Sequence, residues 1–363
     1  MRILRVAQKL YPEVPGGGTY HVHALSRDQA KLGHDVTVLT VSDDDSLPRR
    51  ERRDGYTVVR RPRTVSLLGN DLSAGVANFL RTADNYDVVH AHSHLYASTN
   101  LAAVKRGIGD TPLAITNHGL YSQNAPEWLF DIYLRTVGRW TFNQADVVFC
   151  YTDEDRDRVR EFGVDSPIKV VANGVDTERF TPEGPTSDRI DHQGPVILFV
   201  GRLVEGKRPQ DAVKAITQLP EELGAKLYVV GDGPMRRELE SMSSATVELL
   251  GRIPYDEMPA VYRSGDVLVL PSRAEGLPRT VLEAFAAGIP VVSSHLENTA
   301  PVVQQAGETV FIGDINGYSE ALVRVLNNHI RLGSRGRNLA LNGFRWSDTV
   351  KKTTSKLEQL VQL

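Results

Sequence analysis

The sequence predicts an α/β fold built from two doubly wound domains that face an interdomain cleft. Three observations carry this expectation. At 363 residues and 40.1 kDa the chain exceeds what one hydrophobic core usually serves. Short β-branched runs alternate with helix-length amphipathic segments, which requires crossover connections and therefore parallel sheets. Between the two series of runs, Thr181 to Pro195 holds three prolines, two glycines and no apolar periodicity, and so reads as a linker.

In chain order, the first series predicts strands at Ile3–Ala7, Val36–Thr40, Thr57–Val59, Val88–His90, Leu113–Thr116, Val147–Phe149 and Ile168–Val171. Helical patterns lie between them, as with Val22, Leu25 and Leu32 on one face, or from Trp128 to Phe142. The second series predicts strands at Val196–Val200, Leu227–Val230, Val247–Leu250, Val267–Leu270, Val291–Val292 and Val310–Ile312, with an amphipathic helix from Ser347 to Leu363. The domains expected are residues 1–183 and 195–345, joined by 184–194.

Composition narrows the function. Hydrophobic residues make up 41% and charged residues 24%, which excludes general disorder. The 42 basic and 45 acidic residues leave a net charge of −3, and neither half is a polycation, so nucleic acid is not an expected partner. No apolar run approaches the roughly 18 residues that span a bilayer. Arg2 and Arg5 interrupt the first apolar run, which reads as a buried strand rather than a leader, and a cytoplasmic protein is expected. The single cysteine, Cys150, ends an apolar strand and is expected to be a small buried hydrophobe.

Four patterns point to chemistry. Gly16, Gly17 and Gly18 sit between the first strand and first helix, where backbone can approach a ligand and free helix N–H groups suit an anion. Gly201, Arg202 and Lys207 follow the first strand of the second domain. Two cations at a strand's carboxyl end suit a diphosphate, arginine as a fork and lysine as a mobile charge; a solvated loop is the plain alternative. Glu275 precedes a helix that Pro278 opens, and Glu283 lies about a turn inside it. Carboxylates there accept from vicinal hydroxyls of ribose or sugar, whereas the bland reading of Glu283 is an intrahelical pair with Arg279. Last, Asp87-Val-Val-His90-Ala-His92-Ser-His94 and Thr116-Asn117-His118 follow buried strands. Beyond Asp87 no acidic residue or cysteine completes a zinc site, so no metal is expected, and substrate hydrogen bonding by His92 or His118 is favoured over a purely structural role. Two further matches are discounted: Gly231-Asp-Gly233-Pro-Met-Arg236 lacks the third glycine of a dinucleotide fingerprint, and Asp43-Asp44-Asp45 reads as a solvated loop.

Taken as a series, these residues resemble the family-4 retaining glycosyltransferases of GT-B fold. The match runs through Gly201-Arg202, Lys207, Glu275 and Glu283 within EGLPRTVLEAFAAGIPVV, the glycine loop, GHDVTVLT from Gly33, DVVHAH, the NGVD of Asn173 to Asp176, GDGP, LGRI and FRW. It covers nearly the whole chain in order. The resemblance implies two Rossmann-like domains and a final helix, 346–363, that crosses back onto the first. It implies a nucleotide-diphosphate sugar donor, no metal or other cofactor, and a glycan or lipid-linked acceptor. Arg202 and Lys207 would stabilise the leaving diphosphate, Glu283 would bind ribose and Glu275 the donor sugar. Gly251, Arg252 and Ile253 would read the base through main chain, and Gly16 to Gly18 would lie against the phosphates. Asn173, Gly276 and Leu277 fall in the matched substrate-binding segments, and His118 with His92 would line the reaction centre. The sequence departs from the pattern at Arg208-Pro209 and at Leu296 to Ala300. A nucleotide-sugar epimerase and a non-catalytic nucleotide-sugar-binding protein are the alternatives.

A peripheral membrane contact is also expected. Arg49, Arg50, Arg52, Arg53, Arg60, Arg61 and Arg63 crowd one region with Glu51 and Asp54 as the only counter-charges nearby, and Tyr121, Trp128, Phe130, Tyr133, Trp140 and Phe142 follow further along.

Overall fold

The computed structural model describes every residue except 68, 121–126, 243 and 363. Tyr121 therefore lies outside the described residues. The chain forms two compact units, Met1–Ala172 with Thr349–Leu363, and Asn173–Asp348.

The first unit is built on an eight-stranded sheet. Its strands are β1 (Arg2–Val6), β2 (Asp35–Val41), β3 (Arg50–Arg53), β4 (Tyr56–Arg61), β7 (Val88–His92), β8 (Leu113–Thr116), β9 (Val147–Cys150) and β10 (Ile168–Val170). Between β4 and β7 a separate antiparallel ribbon pairs β5 (Val65–Leu67) with β6 (Asn70–Leu72). The sheet order is β10-β9-β8-β7-β1-β2-β4-β3, parallel except where β3 pairs antiparallel with β4. Because the central strands are buried on both faces, they read as continuous runs: Val147, Val148, Phe149 and Cys150 are all at most 2% exposed. The chain starts at the centre and winds outward both ways, leaving its switch point between β1 and β7.

The second unit repeats this plan with β11 (Val196–Val200), β12 (Lys226–Val230), β13 (Val247–Gly251), β14 (Val267–Leu270), β15 (Val291–Ser294) and β16 (Gly307–Val310). All are parallel, in the order β13-β12-β11-β14-β15-β16. That is the doubly wound dinucleotide-fold order, with the switch point between β11 and β14. Both units are thus Rossmann-like.

Several boundaries differ from expectation for identifiable reasons. The expected strand Val310–Ile312 is instead Gly307–Val310. Gly307 fits because an added Cβ would stand 1.9 Å from the carbonyl oxygen of Val291, while Phe311 projects outward at 76% exposure. Strand β3, Arg-Glu-Arg-Arg, carries no apolar signal at all; it forms because the turn at Asp54 and Gly55, both with positive φ, folds it back on β4. Residues 181–195, expected to connect the domains, lie along the second unit. The Arg263 guanidinium donates to the Pro185 carbonyl at 2.7 Å, and the backbone N–H of Ser187 to Ser264 Oγ at 2.9 Å. Upstream, Phe180 is fully buried against Tyr255 and Tyr262, and Arg337 donates to the carbonyls of Thr177 and Phe180. The crossing from the first unit to the second therefore falls at Ala172–Asn173 rather than past residue 183.

The last helix, Trp346–Val361, ends in the first unit. Leu357 and Leu360 join the core cluster of Ile3, Val36 and Val38, Thr354 accepts a hydrogen bond from Gln29 at 2.9 Å, and Thr349 donates to the Ala172 carbonyl at 2.8 Å. No helix among the described residues is long and apolar enough to cross a membrane. Cys150 is buried, and burial pushes its thiol up to about 12.

Three of the seven arginines of the cluster, Arg53, Arg60 and Arg63, are paired with carboxylates within the fold, which corrects the count of counter-charges. Glu13 and Glu51 are each shared between Arg53 and Arg60, at 2.5 to 2.8 Å, and Arg60 is only 4% exposed. Arg63 pairs with Asp43 at 2.8 Å, and the guanidinium of Arg61 lies 5.3 Å from the Phe79 ring centre. Of the aromatics, Phe130 and Phe142 are core, while Trp128 and Trp140 are 66% and 43% exposed.

Candidate active site

In the second unit, the predicted residues collect at the carboxyl ends of β11 and β14, on both sides of the switch point. β11 ends at Val200, and Gly201 and the exposed Arg202 follow. The chain then makes a short turn at Glu205–Lys207. Arg208 takes the left-handed conformation, φ 50°, as the cap of helix Pro209–Ile216, and Pro209 occupies the first turn, where its missing N–H costs nothing. The departure at Arg208-Pro209 is thereby accommodated: Arg208 Nε donates to Asp211 at 2.6 Å.

From β14 the chain enters a buried loop, Pro271 to Pro278, then helix Arg279–Ala286. The two loops are tied by a backbone bond from the Arg273 N–H to the Gly206 carbonyl at 2.8 Å. Above that tie, the Lys207 ammonium pairs with the Glu275 carboxylate, at 15% and 5% side-chain exposure. Asn298 donates to the Glu275 carbonyl, and Thr299 to that of Gly276 at 3.3 Å. The Leu296 to Ala300 segment therefore braces the glutamate loop, a role its sequence gave no sign of. Asn173, 5% exposed, donates to the Leu277 carbonyl at 3.4 Å.

Glu283 is more deeply embedded. Tyr255 donates to its Oε1 at 2.8 Å and Tyr262 to its Oε2 at 3.1 Å, while Arg279 Nε stands 3.6 Å from Oε1. The intrahelical pair is thus present, but two tyrosine hydroxyls make the closer contacts. Burial raises the pKa of Glu283, against the opposing pull of Arg279 and both hydroxyls.

Three strand-end glycines shape this loop cluster. Gly231 has φ 140°, and an added Cβ would lie 1.8 Å from the Gly201 carbonyl oxygen. At Gly233 it would meet the Leu203 carbonyl oxygen at 2.4 Å. The GDGP segment, discounted as a dinucleotide fingerprint, is what lets the two loops pack this closely. Gly251 ends β13 with φ 70°; beside it Arg252 is exposed, 3.9 Å from Asp232, and Ile253 is half-buried. Neither bonds to the Lys207–Glu275 group.

In the first unit, Gly16, Gly17 and Gly18 are exposed at the start of helix Gly17–Lys31, and a Cβ on Gly18 would touch the His118 ring at 3.5 Å. β7 runs on through His92, past the expected end at His90, so both rings share one face, 4.4 Å apart. His92 Nδ1 and His118 Nε2 are 3.0 Å apart, and His118 Nδ1 lies 2.8 Å from the Tyr151 hydroxyl. Burial lowers the pKa of His118 to about 4 and that of His92 well below its ordinary value, so both rings are neutral at pH 7. Arg5, fully buried, donates to Ser26, Gln29 and His90, which obliges His90 Nδ1 to accept and its Nε2 to donate to Thr116. Arg5 and Tyr151 were missed because an isolated polar residue within an apolar strand, or just past the end of one, gives no periodic signal. Among the described residues no group of three or more histidines, cysteines or carboxylates could hold a metal ion.

Two Rossmann-like units, one with a lysine–carboxylate group at its switch point, have the build of a sugar-transferring enzyme, and comparison with known proteins agrees. Residues 15–179 match the Glycosyltransferase Family 4 model, and residues 194–328 the Glycosyl transferases group 1 model. A glycogen synthase of Mycobacterium tuberculosis is 28% identical over 98% of this chain and 94% of its own length. A GDP-mannose-dependent alpha-(1-6)-phosphatidylinositol monomannoside mannosyltransferase of the same organism is 26% identical over 97% and 96%. In fold, a sucrose-phosphate synthase from Thermosynechococcus elongatus superposes with a TM-score of 0.84 at 21% identity, covering 99% of this chain and 98% of that one. The chain belongs to glycosyltransferase family 4, of GT-B fold, and is an enzyme of the glycosyltransferase class.

Proposed function

We propose that the chain is a retaining glycosyltransferase that moves a sugar from a nucleotide-diphosphate sugar to a hydroxyl acceptor, in cytoplasmic synthesis of an envelope or lipid-linked glycan. The observation that carries this reading is the Lys207–Glu275 pair at the switch point, in the loop that Arg202 opens after β11. Breaking the bond between the anomeric carbon and the diphosphate sends its electron pair to the departing phosphate, where two cations stabilise the growing charge. The acceptor oxygen bonds the anomeric carbon on the same face, and its proton passes to the leaving phosphate. Glu275 is assigned to the donor sugar, Glu283 to ribose, Gly251 to Ile253 to the base, Gly16 to Gly18 to phosphate, and His118 with His92 to the reaction centre. Asn173, Gly276 and Leu277 complete the donor-binding set. The mannosyltransferase relative, named for GDP-mannose and a phosphatidylinositol monomannoside, supports this choice of substrates.

Because Arg202 and Lys207 are fixed cations, the reaction needs no metal ion. Proton NMR of donor turnover in EDTA tests both points: the first-formed sugar carries the donor's own anomeric configuration, at an undiminished rate. Inversion, or activity restored only by a divalent ion, contradicts the proposal.

A peripheral membrane contact is a second part of this reading. It is favoured by Trp128, Ile132, Val137 and Trp140, which are 43% to 66% exposed along Glu127–Asn143. Co-sedimentation with anionic vesicles should be lost in Trp128→Ala/Trp140→Ala; failure of the unaltered protein to bind, or unchanged binding by the variant, overturns it.

A further inference from the structure

Glu283 lies between two tyrosines that approach different oxygens. The Tyr255 hydroxyl donates to Oε1 and that of Tyr262 to Oε2, at 2.8 and 3.1 Å. An ionised carboxylate has about four acceptor positions, two on each oxygen. The tyrosines use one on each, and Arg279 Nε, 3.6 Å from Oε1, is beyond hydrogen-bond range. One acceptor position per oxygen is left, the arrangement that a vicinal diol fills with two donated bonds.

Tyr255 is itself held on several sides. Arg279 Nη2 donates to its hydroxyl at 3.2 Å, the Arg179 guanidinium lies 4.4 Å from its ring centre, and Arg179 Nη2 donates to its carbonyl at 2.8 Å. Tyr262 is fully buried on helix Met258–Arg263 and meets the Phe180 ring edge-on. Such bracing costs side-chain entropy and is retained here around a half-buried tyrosine whose hydroxyl has one strong acceptor, Glu283.

We propose that Tyr255 is a positioning residue for Glu283, turning the carboxylate so that one lone pair on each oxygen faces the ribose diol of the donor. This rests on the nucleotide-sugar reading above. The groups that face Glu283 are Tyr255, Tyr262, Arg279 on its own helix, and Arg179 from the 173–183 segment. Burial raises the pKa of Glu283, and the hydroxyl of Tyr255 is one of the groups holding it down. As pH falls, protonated Glu283 loses an acceptor and donor binding weakens. Removing the Tyr255 hydroxyl makes the anion harder to keep, so this weakening begins at higher pH.

The test is calorimetric titration of the full chain with UDP-glucose, GDP-mannose and ADP-glucose from pH 5 to 8, a range in which their diphosphates do not titrate. Tyr255→Phe should move the acid limb of donor affinity up by about one pH unit, the scale of one hydrogen bond to a charged group. Tyr262→Phe should move it the same way, and Glu283→Gln should abolish it; thermal midpoints establish that each variant is folded. Affinity lowered equally at every pH, or a limb that stays in place, overturns the positioning role while leaving the nucleotide-sugar reading intact. Absence of binding by the unaltered protein to all three sugars overturns both.

Discussion

Lys207 and Glu275, 68 residues apart in sequence, form a largely buried ion pair across the two loops at the switch point of the second unit. The pair keeps a buried carboxylate satisfied and places the ammonium at the strand ends. In the proposed reading, a diphosphate competes for the lysine and the donor sugar's hydroxyls take up the released acceptor positions of Glu275.

Lys207→Ala should lower turnover by more than about a hundredfold, because it removes charge stabilisation made in the transition state. It should also lower the thermal midpoint, since Glu275 is left buried and unpaired. The double variant Lys207→Ala/Glu275→Gln should regain part of that stability and none of the turnover. Near-normal turnover by the single variant contradicts the diphosphate role.

Gly231→Ala should destabilise the second unit by about 3 kcal/mol or more, since a positive-φ backbone and a contact of 1.8 Å with the Gly201 carbonyl oxygen leave no room for a methyl group. Denaturant unfolding measures this. A change below about 1 kcal/mol would show that the loops yield easily.

Glu13 should make the first unit acid-sensitive in a defined window. Burial alone would raise its pKa, but hydrogen bonds from Arg53 and Arg60 hold it down to about 2. A carboxylate with a depressed folded-state value adds stability that is fully present above the ordinary range, near 4.5, and is lost as pH falls toward 2. Allowing for solvent screening, Glu13→Gln should cost about 1 kcal/mol at pH 7, with the difference from the unaltered protein closing through that window. A pH-independent difference contradicts the pairing.

Both sheets were legible in the sequence because strands buried on two faces are written as unbroken β-branched runs, and the loops beyond them carry the proposed site. Arg202, Lys207, Glu275 and Glu283 were singled out for that reason. What was not legible depends on partners distant in the chain. Tyr255, in a turn, and Tyr262, on the helix that follows, look like ordinary half-apolar residues until Glu283 is folded against them. Glu13 gives no sign in sequence that it neutralises Arg53 and Arg60, which left the arginine cluster looking like a free basic patch. The close approach at Gly231 depends on the Gly201 carbonyl, 30 positions earlier, and a fingerprint search tests only the local spacing.

The most direct test of the account is donor binding by the second unit's residues within the intact chain. Thermal unfolding in the presence of UDP-, GDP- and ADP-sugars should show one nucleotide class raising the midpoint in a concentration-dependent way. That shift should be strongly reduced in both Lys207→Ala and Glu283→Ala. No shift with any nucleotide sugar, or a shift in the two variants as large as in the unaltered protein, would contradict the claim that these loops hold the donor.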